Sequence, residues 1–161
     1  MSNILVAYFS ATGTTKRAAK GLAEALGADT FEIVPQTPYT STDLNWNDST
    51  SRSTSEMNDE ASRPPISGTV DGMDSYNAVF VGFPIWWYTE PRIIDTFLES
   101  YDFSGKTIVP FATSGGSGLG KAPERMQRIA TGSTVAAGRL LNGHQNPNEL
   151  RDWAQRLGLM R

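Results

Sequence analysis

A run of small and hydroxyl-bearing residues from Ser10 to Thr15 follows the first apolar segment of the chain and contains one glycine, Gly13. Small residues let backbone N–H groups turn toward a phosphate, and the hydroxyls add further donors. A helix that begins at the end of the run adds partial positive charge. Capping that helix would need only one such residue, so the cluster favours phosphate binding. The run lacks the first glycine and the Gly-Lys pair of a Walker loop.

Consecutive aromatic residues, Trp86, Trp87 and Tyr88, follow Pro84 and Ile85 directly after another apolar segment. They cannot all face inward at the mouth of a sheet, so at least one is expected to be exposed or to lie against a ligand. A flat aromatic ligand would explain this, because stacking removes both surfaces from water. An aromatic cluster packed beneath a neighbouring long loop would explain it equally well. The sequence leaves both interpretations open.

Glycine dominates the segment from Thr113 to Gly120, which follows a further apolar run. This content predicts that the backbone turns sharply or approaches something closely, as when main-chain N–H groups meet the polar edge of a ring. A merely flexible loop is the alternative. Gly115, Gly120 and Lys121 match the spacing of a Walker loop, but Ala122 stands where the magnesium-binding Ser or Thr belongs. Nucleotide hydrolysis is therefore not favoured.

Short apolar strands and amphipathic helices alternate along the chain and would position these segments. Helices are predicted to begin near Lys16, Pro91 and Pro123 and after a cap at Asn146, and strands are predicted at 4–9, 30–34, 77–83, 107–112 and 134–137. Right-handed crossovers place successive helices outside a parallel sheet, so this order predicts a doubly wound α/β fold. A chain of 161 residues suits a single domain, residues 1–161.

Each of the three segments follows a predicted strand, so in a parallel sheet all of them emerge at the same end. Ligands bind such sheets at that end, where the strand order reverses. Phosphate donors, aromatic side chains and a glycine-rich edge would meet there around one ligand. A ligand with one phosphate and one flat polar ring is flavin mononucleotide (FMN), which is the expected cofactor.

The segment 36–72 interrupts the alternation. Ser, Thr, Asn and Asp dominate it, and its few large apolar residues show no period. It is predicted to be a long polar excursion that is functional or mobile. One or two helical turns are expected around Glu56 to Ala61, ended by the run Arg63-Pro64-Pro65.

The composition excludes several kinds of chemistry. The chain has no cysteine, so disulfides, thiolate nucleophiles, cysteine-held zinc and iron–sulfur clusters are excluded, and redox chemistry would need an organic cofactor. A net charge of -3 offers no basic field for nucleic acid. No apolar run approaches the ~18 residues needed to cross a bilayer, so no membrane contact is expected and the cytoplasm is the expected location. Glu90 and the single histidine, His144, are expected to be solvated.

The stretch from Phe9 to Thr15 reads Phe-Ser-x-Thr-Gly-x-Thr, and together with 82–87 and 111–118 it resembles the flavodoxin family. The resemblance spans most of the chain and implies a five-stranded parallel sheet in the order 2-1-3-4-5. It also implies a short-chain type, because only residues 137–142 could extend the last strand. The FMN contacts that it implies are Ser10, Ala11, Thr12, Gly13, Thr14, Thr15, Pro84, Ile85, Trp86, Trp87, Tyr88, Thr113, Ser114, Gly115, Gly116, Ser117 and Gly118.

The resemblance further implies an electron carrier whose flavin performs the chemistry, with no catalytic side chain and no metal. Its partners would be a reductase and an acceptor protein, and the chain would be a monomer or weak dimer. Trp86 or Trp87 is expected to cover a face of the flavin ring. One alternative is an NAD(P)H-dependent quinone or nitro-compound reductase in which segment 36–72 shapes a substrate pocket. Another is a flavin sensor or a cofactor-free binding module.

Overall fold

The computed structural model describes residues 3–114, 118–143 and 145–160. Its strands, in chain order, are β1 (Ile4–Tyr8), β2 (Asp29–Glu32), β3 (Val34–Pro35), β4 (Ile66–Ser67), β5 (Ala78–Pro84), β6 (Thr107–Thr113), β7 (Thr134–Val135) and β8 (Arg139–Leu140). The main sheet is parallel, in the order β2-β1-β5-β6-β7, and β8 also pairs with β6. This order confirms the flavodoxin-like arrangement, with β5 and β6 as its third and fourth strands.

The fifth position of the sheet is divided between β7 and β8, whereas one continuous strand ending at Ala137 is predicted from the sequence. The carbonyl oxygens of Ile108 and Ala112 accept hydrogen bonds from this edge of the sheet, so even-numbered residues of β6 face it. Pro110 also faces it but has no N–H to donate. Gly138 passes so close that an added Cβ would lie 2.1 Å from the Pro110 carbonyl oxygen. The edge strand therefore breaks beside Pro110 and resumes at β8.

Helices cover both faces of the main sheet and form a three-layer sandwich with it, as expected of the predicted doubly wound α/β fold. The helices are α1 (Thr14–Leu26), α2 (Arg52–Met57), α3 (Arg92–Glu99), α4 (Ala122–Ile129) and α5 (Pro147–Arg156). One core contains Leu5 and Ala7 of β1 with buried residues of α3 and α4, and the other contains Ile4 and Val6 with buried residues of α1 and α5. Both faces of β1 are thus buried, which is why its sequence is almost wholly apolar.

The excursion, residues 36–72, has defined secondary structure. At its base β3 pairs antiparallel with β4, and Tyr39 and Val70 pack against the core on the α3 and α4 side. Its helix, α2, lies earlier than the turns predicted around 56–61. The reason is Ser51, whose Oγ accepts a hydrogen bond from the backbone N–H of Thr54 at 3.4 Å and caps the helix.

Within the described part of the chain, no helix has both the length and the apolar character that crossing a bilayer requires.

Candidate functional site

The three predicted segments converge at one edge of the sheet, as expected from the adjacent, parallel strands β1, β5 and β6. The backbone N–H of Ile85 donates to the carbonyl oxygen of Thr113 at 3.0 Å. The hydroxyls of Thr15 and Thr113 lie 2.8 Å apart. The backbone N–H of Lys121 donates to the carbonyl oxygen of Tyr88 at 3.1 Å. Each segment is therefore bonded to at least one of the others.

The first of these segments, the phosphate loop (Ser10–Thr15), leads directly into α1. Gly13 caps the helix with a φ of 95°, a left-handed conformation that favours glycine. Its N–H donates to the Ser10 Oγ at 3.0 Å, so the Ser10 hydroxyl holds the turn itself. Thr12 and Thr14 are exposed, and the first turn of α1 carries no acidic side chain. Backbone donors of that turn lack intrahelical acceptors, so the loop is suited to an anion.

Thr15 differs from its neighbours because its side chain is buried. Its Oγ1 pairs with the Oγ1 of Thr113 at 2.8 Å. This hydroxyl therefore joins the phosphate loop to the end of β6, and any phosphate contact from Thr15 is left to its backbone N–H.

Replacing Thr15 or Thr113 singly by Val is expected to lower the free energy of unfolding by about 1–3 kcal/mol, because each change strands one buried hydroxyl. The double variant is expected to lose less free energy of unfolding than the two single variants lose together, because both hydroxyls are then gone and neither is left without a partner. Urea unfolding of the wild type, the two single variants and the double variant measures this coupling as a double-mutant cycle. Strictly additive losses would show that the two hydroxyls do not interact.

The aromatic turn (Trp86–Thr89) is a tight reversal in which Trp86 and Thr89 exchange backbone hydrogen bonds of 3.0 and 3.1 Å. Its central residues, Trp87 and Tyr88, have φ values of 50° and 65°. Positive φ at both central positions is the conformation that Asn-Gly normally supplies, and for bulky side chains it is strained. Trp87 is 41% exposed and Tyr88 is 71% exposed. The strained backbone thus turns two aromatic rings outward.

Trp86 occupies a different environment from the two residues that follow it. Its ring lies edge-on to Phe9 at 5.7 Å and to Tyr39 at 5.5 Å between ring centroids. The aromatic run is therefore divided between two environments. Trp86 belongs to a cluster packed beneath the excursion, whereas Trp87 and Tyr88 are the rings that face outward.

The glycine-rich segment supports the aromatic turn. Gly120 has a φ of +56°, and an added Cβ would lie 2.0 Å from the carbonyl oxygen of Tyr88. The close approach predicted from the glycine content is thus confirmed at Gly120, where it is made to the protein's own backbone. The N–H of Ser114 donates to Asn142 Oδ1 at 2.9 Å. The expected contacts of Gly115, Gly116 and Ser117 lie outside the described residues.

A cluster of buried charges lies directly behind the aromatic turn, and the expectation that Glu90 is solvated is wrong. Glu90 and Asp95 are both 0% exposed. Arg125 of α4 donates from Nε to Glu90 Oε2 at 3.3 Å and from Nη2 to Asp95 Oδ2 at 3.1 Å. The sequence gives no direct sign of this, because Arg125 lies 35 residues from Glu90 along the chain.

Burial raises the pKa of Asp95 to about 8, with a further contribution from hydrogen bonding to Glu90 and from its charge, while Arg125 opposes the rise. The carboxyl is thus neutral in the fold over a range where it is ionised in the unfolded chain, whose aspartate pKa is about 3.9. The stability that this gives is fully present below about pH 4 and is lost as the pH rises toward 8.

Asp95→Asn, which cannot ionise, is expected to match the wild type near pH 4 and to exceed it in stability by on the order of 1–3 kcal/mol at pH 8.5. Chemical unfolding across that pH range measures the difference. A constant difference between the two proteins at every pH would contradict this assignment.

A groove of about 670 Å³ lies between α1 and α5 and is bounded in part by Thr14, Arg17 and Arg151. Nη1 of Arg151 donates to the carbonyl oxygen of Ala25 at 3.5 Å, and its Nη2 bonds to Asn148. This guanidinium therefore ties α5 to α1. Among the described residues, Thr14 is the one member of the predicted site that borders the groove. We assign the groove to helix packing rather than to flavin.

Comparisons with known proteins agree with the fold. The profile of a family described as Flavodoxin matches residues 3–157. A structure from Bacteroides eggerthii DSM 20697, provisionally named a flavoprotein, is 47% identical over 98% of this chain and 99% of that chain, with a TM-score of 0.93. A provisionally named flavoprotein from Bacteroides uniformis ATCC 8492 is 48% identical over 94% and 97%, with a TM-score of 0.88.

More distant structures share the fold at lower identity. A flavoprotein from Lactobacillus acidophilus NCFM, solved in complex with FMN, is 19% identical over 96% of this chain and 99% of that chain, with a TM-score of 0.73. No curated protein matches significantly. Because the family profile covers almost the whole chain and the fold has the family's strand order, this chain belongs to the flavodoxin family.

Proposed function

We propose that this protein binds one FMN at the carboxyl edge of its sheet and transfers electrons through it. The observation that carries the proposal is the meeting of the phosphate loop and the aromatic turn at the ends of β1 and β5. The strand order reverses between these two strands, and ligands of doubly wound sheets bind at such a point.

The residues present have the chemistry that FMN requires. The first turn of α1, with the exposed hydroxyls of Thr12 and Thr14, would hold the phosphate. Among the described residues, and chain neighbours apart, a Cβ placed on Gly13 or on Gly118 would meet no atom within 4 Å, which is compatible with close approach of a ligand to the backbone. Trp87 and Tyr88 would cover the ring, and the segment 113–118 would meet its polar edge. The Lactobacillus acidophilus relative, solved with FMN, supports the choice of cofactor.

Bound FMN would supply one- and two-electron transfer, and the protein would set its affinity and potential. The chain's own contribution is then to fix the phosphate, stack on the ring and exclude water. We further propose that it acts in the cytoplasm as a monomer or weak dimer, between a reductase and an acceptor protein. A surface without a strong basic field, at a net charge of -3, is compatible with such protein partners and not with nucleic acid.

The test is an anaerobic absorption experiment on the protein loaded with FMN. An electron carrier should keep its flavin oxidised when NADPH and a quinone are added, and should bleach when a flavodoxin reductase is added as well. Free FMN at the same concentration is the control. Prompt bleaching by NADPH without the added flavodoxin reductase, together with turnover of the quinone, would show that the protein is itself an NAD(P)H-dependent reductase and not a carrier.

The NAD(P)H-dependent reductase is kept as the second candidate because the excursion is anchored beside the aromatic turn. Tyr39 of the excursion contacts Trp86, Arg125 pairs with Glu60 at 3.1 Å, and Arg92 donates to the carbonyl oxygen of Met57 at 2.8 Å. An excursion anchored in this way could shape a substrate pocket over the flavin ring. A sensor or a cofactor-free module would be favoured instead if no electron transfer or no flavin binding were found.

A further inference from the structure

The aromatic turn is connected to the buried charge cluster through the residue that ends it. The Thr89 Oγ1 donates to Oε1 of Glu90, and the other oxygen of that carboxylate accepts from Arg125 Nε at 3.3 Å. The carbonyl of Tyr88 accepts from Lys121, the residue that precedes α4, at 3.1 Å. The strained turn is thus fastened to α4 at two points, and one of them passes through Glu90.

Arg125 pairs with Glu90 at 3.3 Å, and the other charges of the cluster pair with Asp95 or with Arg125. Arg92 and Asp95 belong to α3, Arg125 belongs to α4, and the excursion supplies Glu60 and Arg63. Glu99 pairs with Arg63 at 3.0 Å on the outer side of the cluster. Glu90 and Asp95 are the members that are completely buried.

Asp95 is incompletely bonded if it is ionised. Within the described residues its Oδ1 has no hydrogen-bond partner. The nearest nitrogens of Arg92 and Arg63 lie 3.8 and 3.9 Å from Oδ2, which is beyond hydrogen-bond distance. An unpartnered buried carboxylate oxygen is costly, whereas a proton held between Asp95 and Glu90 would give it a partner. The raised pKa of Asp95 agrees with this geometry.

We propose that Glu90 is a positioning residue for the aromatic turn, and that a proton shared between Glu90 and Asp95 keeps this turn in the conformation that binds flavin. This inference rests on the proposed function. With the proton present, Arg125 bonds to both carboxyl groups, as in the structure. Without it, two adjacent buried carboxylates repel each other and Glu90 moves away from Asp95. The Thr89 hydroxyl bonded to Glu90 then moves as well, and the strained turn relaxes.

The direct test is the dissociation constant for FMN between pH 6 and 9.5 in the wild type, Asp95→Asn and Glu90→Gln. In the wild type, the dissociation constant for FMN should rise by about fivefold or more as Asp95 ionises. Fivefold is the lower end of typical couplings between linked sites. Asp95→Asn should show no such step. Glu90→Gln should bind more weakly at every pH, with its remaining step moved to lower pH because Asp95 then pairs alone with Arg125.

Asp152→Asn, an exposed change on α5, is the matched control and should follow the wild type. Titration of the ligand's own groups affects all the proteins alike and cancels in the comparison. The same pH step in Asp95→Asn as in the wild type would overturn the proposal. If a variant does not fold, carboxyl carbon NMR of the wild type still tests the shared proton, and an Asp95 titration near its usual pKa would contradict it.

Tryptophan fluorescence of the flavin-free protein separates this inference from the proposed function. A step in emission near pH 8 that Asp95→Asn lacks would support the positioning role even if FMN did not bind. Binding of FMN with no pH step in either measurement would leave the proposed function standing and refute the role of the shared proton.

Discussion

Aspartate in place of Thr14 is expected to abolish useful flavin binding while leaving the protein as stable as the wild type or slightly more so. Thr14 is the first residue of α1 and is exposed, in a first turn that carries no acidic side chain. A carboxylate there interacts favourably with the helix dipole, by about 0.3–1 kcal/mol. It would also meet the flavin phosphate at contact distance. That repulsion is worth several kcal/mol near a protein surface, so the dissociation constant should rise by about 100-fold or more.

The opposite signs of these two effects make the test specific. Thr131→Asp is the control for the added charge. Thr131 is an exposed residue of the turn that precedes β7, so it lies at the amino ends of the strands, opposite the candidate site. This change should leave FMN affinity unchanged. Flavin fluorescence titration gives the affinity, and thermal unfolding of the flavin-free proteins gives the stability. Equal affinity in the wild type and Thr14→Asp would mean that the phosphate does not lie at the start of α1.

Tyr88→Gly is also expected to separate stability from binding. Tyr88 holds a φ of 65° and is 71% exposed, so its ring contributes little packing while its backbone conformation is strained. A left-handed conformation costs a residue with a side chain about 1–2 kcal/mol, and glycine avoids that cost. Loss of a stacking ring, by contrast, removes about 1–3 kcal/mol from flavin binding. The dissociation constant should therefore rise by roughly 5- to 150-fold.

Tyr88→Ala is the matched variant, because it removes the same ring but retains a Cβ and the strain. Both variants should lose similar affinity, and the glycine variant should be the more stable by about 0.5–1 kcal/mol. Urea unfolding and FMN titration of the pair give both quantities. If Tyr88→Gly bound FMN as tightly as the wild type, the Tyr88 side chain would have no role in holding the flavin ring.

The convergence of the candidate site's three segments could be predicted because they carry local signals and follow strands of one parallel sheet. Small and hydroxyl-bearing residues at 10–15 indicate an anion loop wherever they stand before a helix. The position of that loop relative to Trp87 follows from topology alone, since β1 and β5 are neighbours. No side-chain detail was needed for either step.

The remaining features depend on contacts between residues that are distant in sequence. Local sequence predicts that Glu90 is solvated at a helix start, whereas in the fold α4 brings Arg125 beside it. The break in the edge strand depends on which side of β6 Pro110 faces, which hydrophobicity does not reveal. The packing of Trp86, in contrast to the exposure of Trp87, depends on Tyr39, a residue of the excursion that contacts the Trp86 ring. Local pattern contains none of this information.

The most direct test of the central claim is calorimetric titration of the flavin-free protein with FMN and, separately, with riboflavin, which has the same ring but no phosphate. If the phosphate loop and the aromatic turn form one flavin site, FMN should bind with one-to-one stoichiometry and riboflavin should bind about 100-fold more weakly, because charge-assisted bonds to the phosphate are lost. Absence of FMN binding, or equal affinity for the two ligands, would contradict the account.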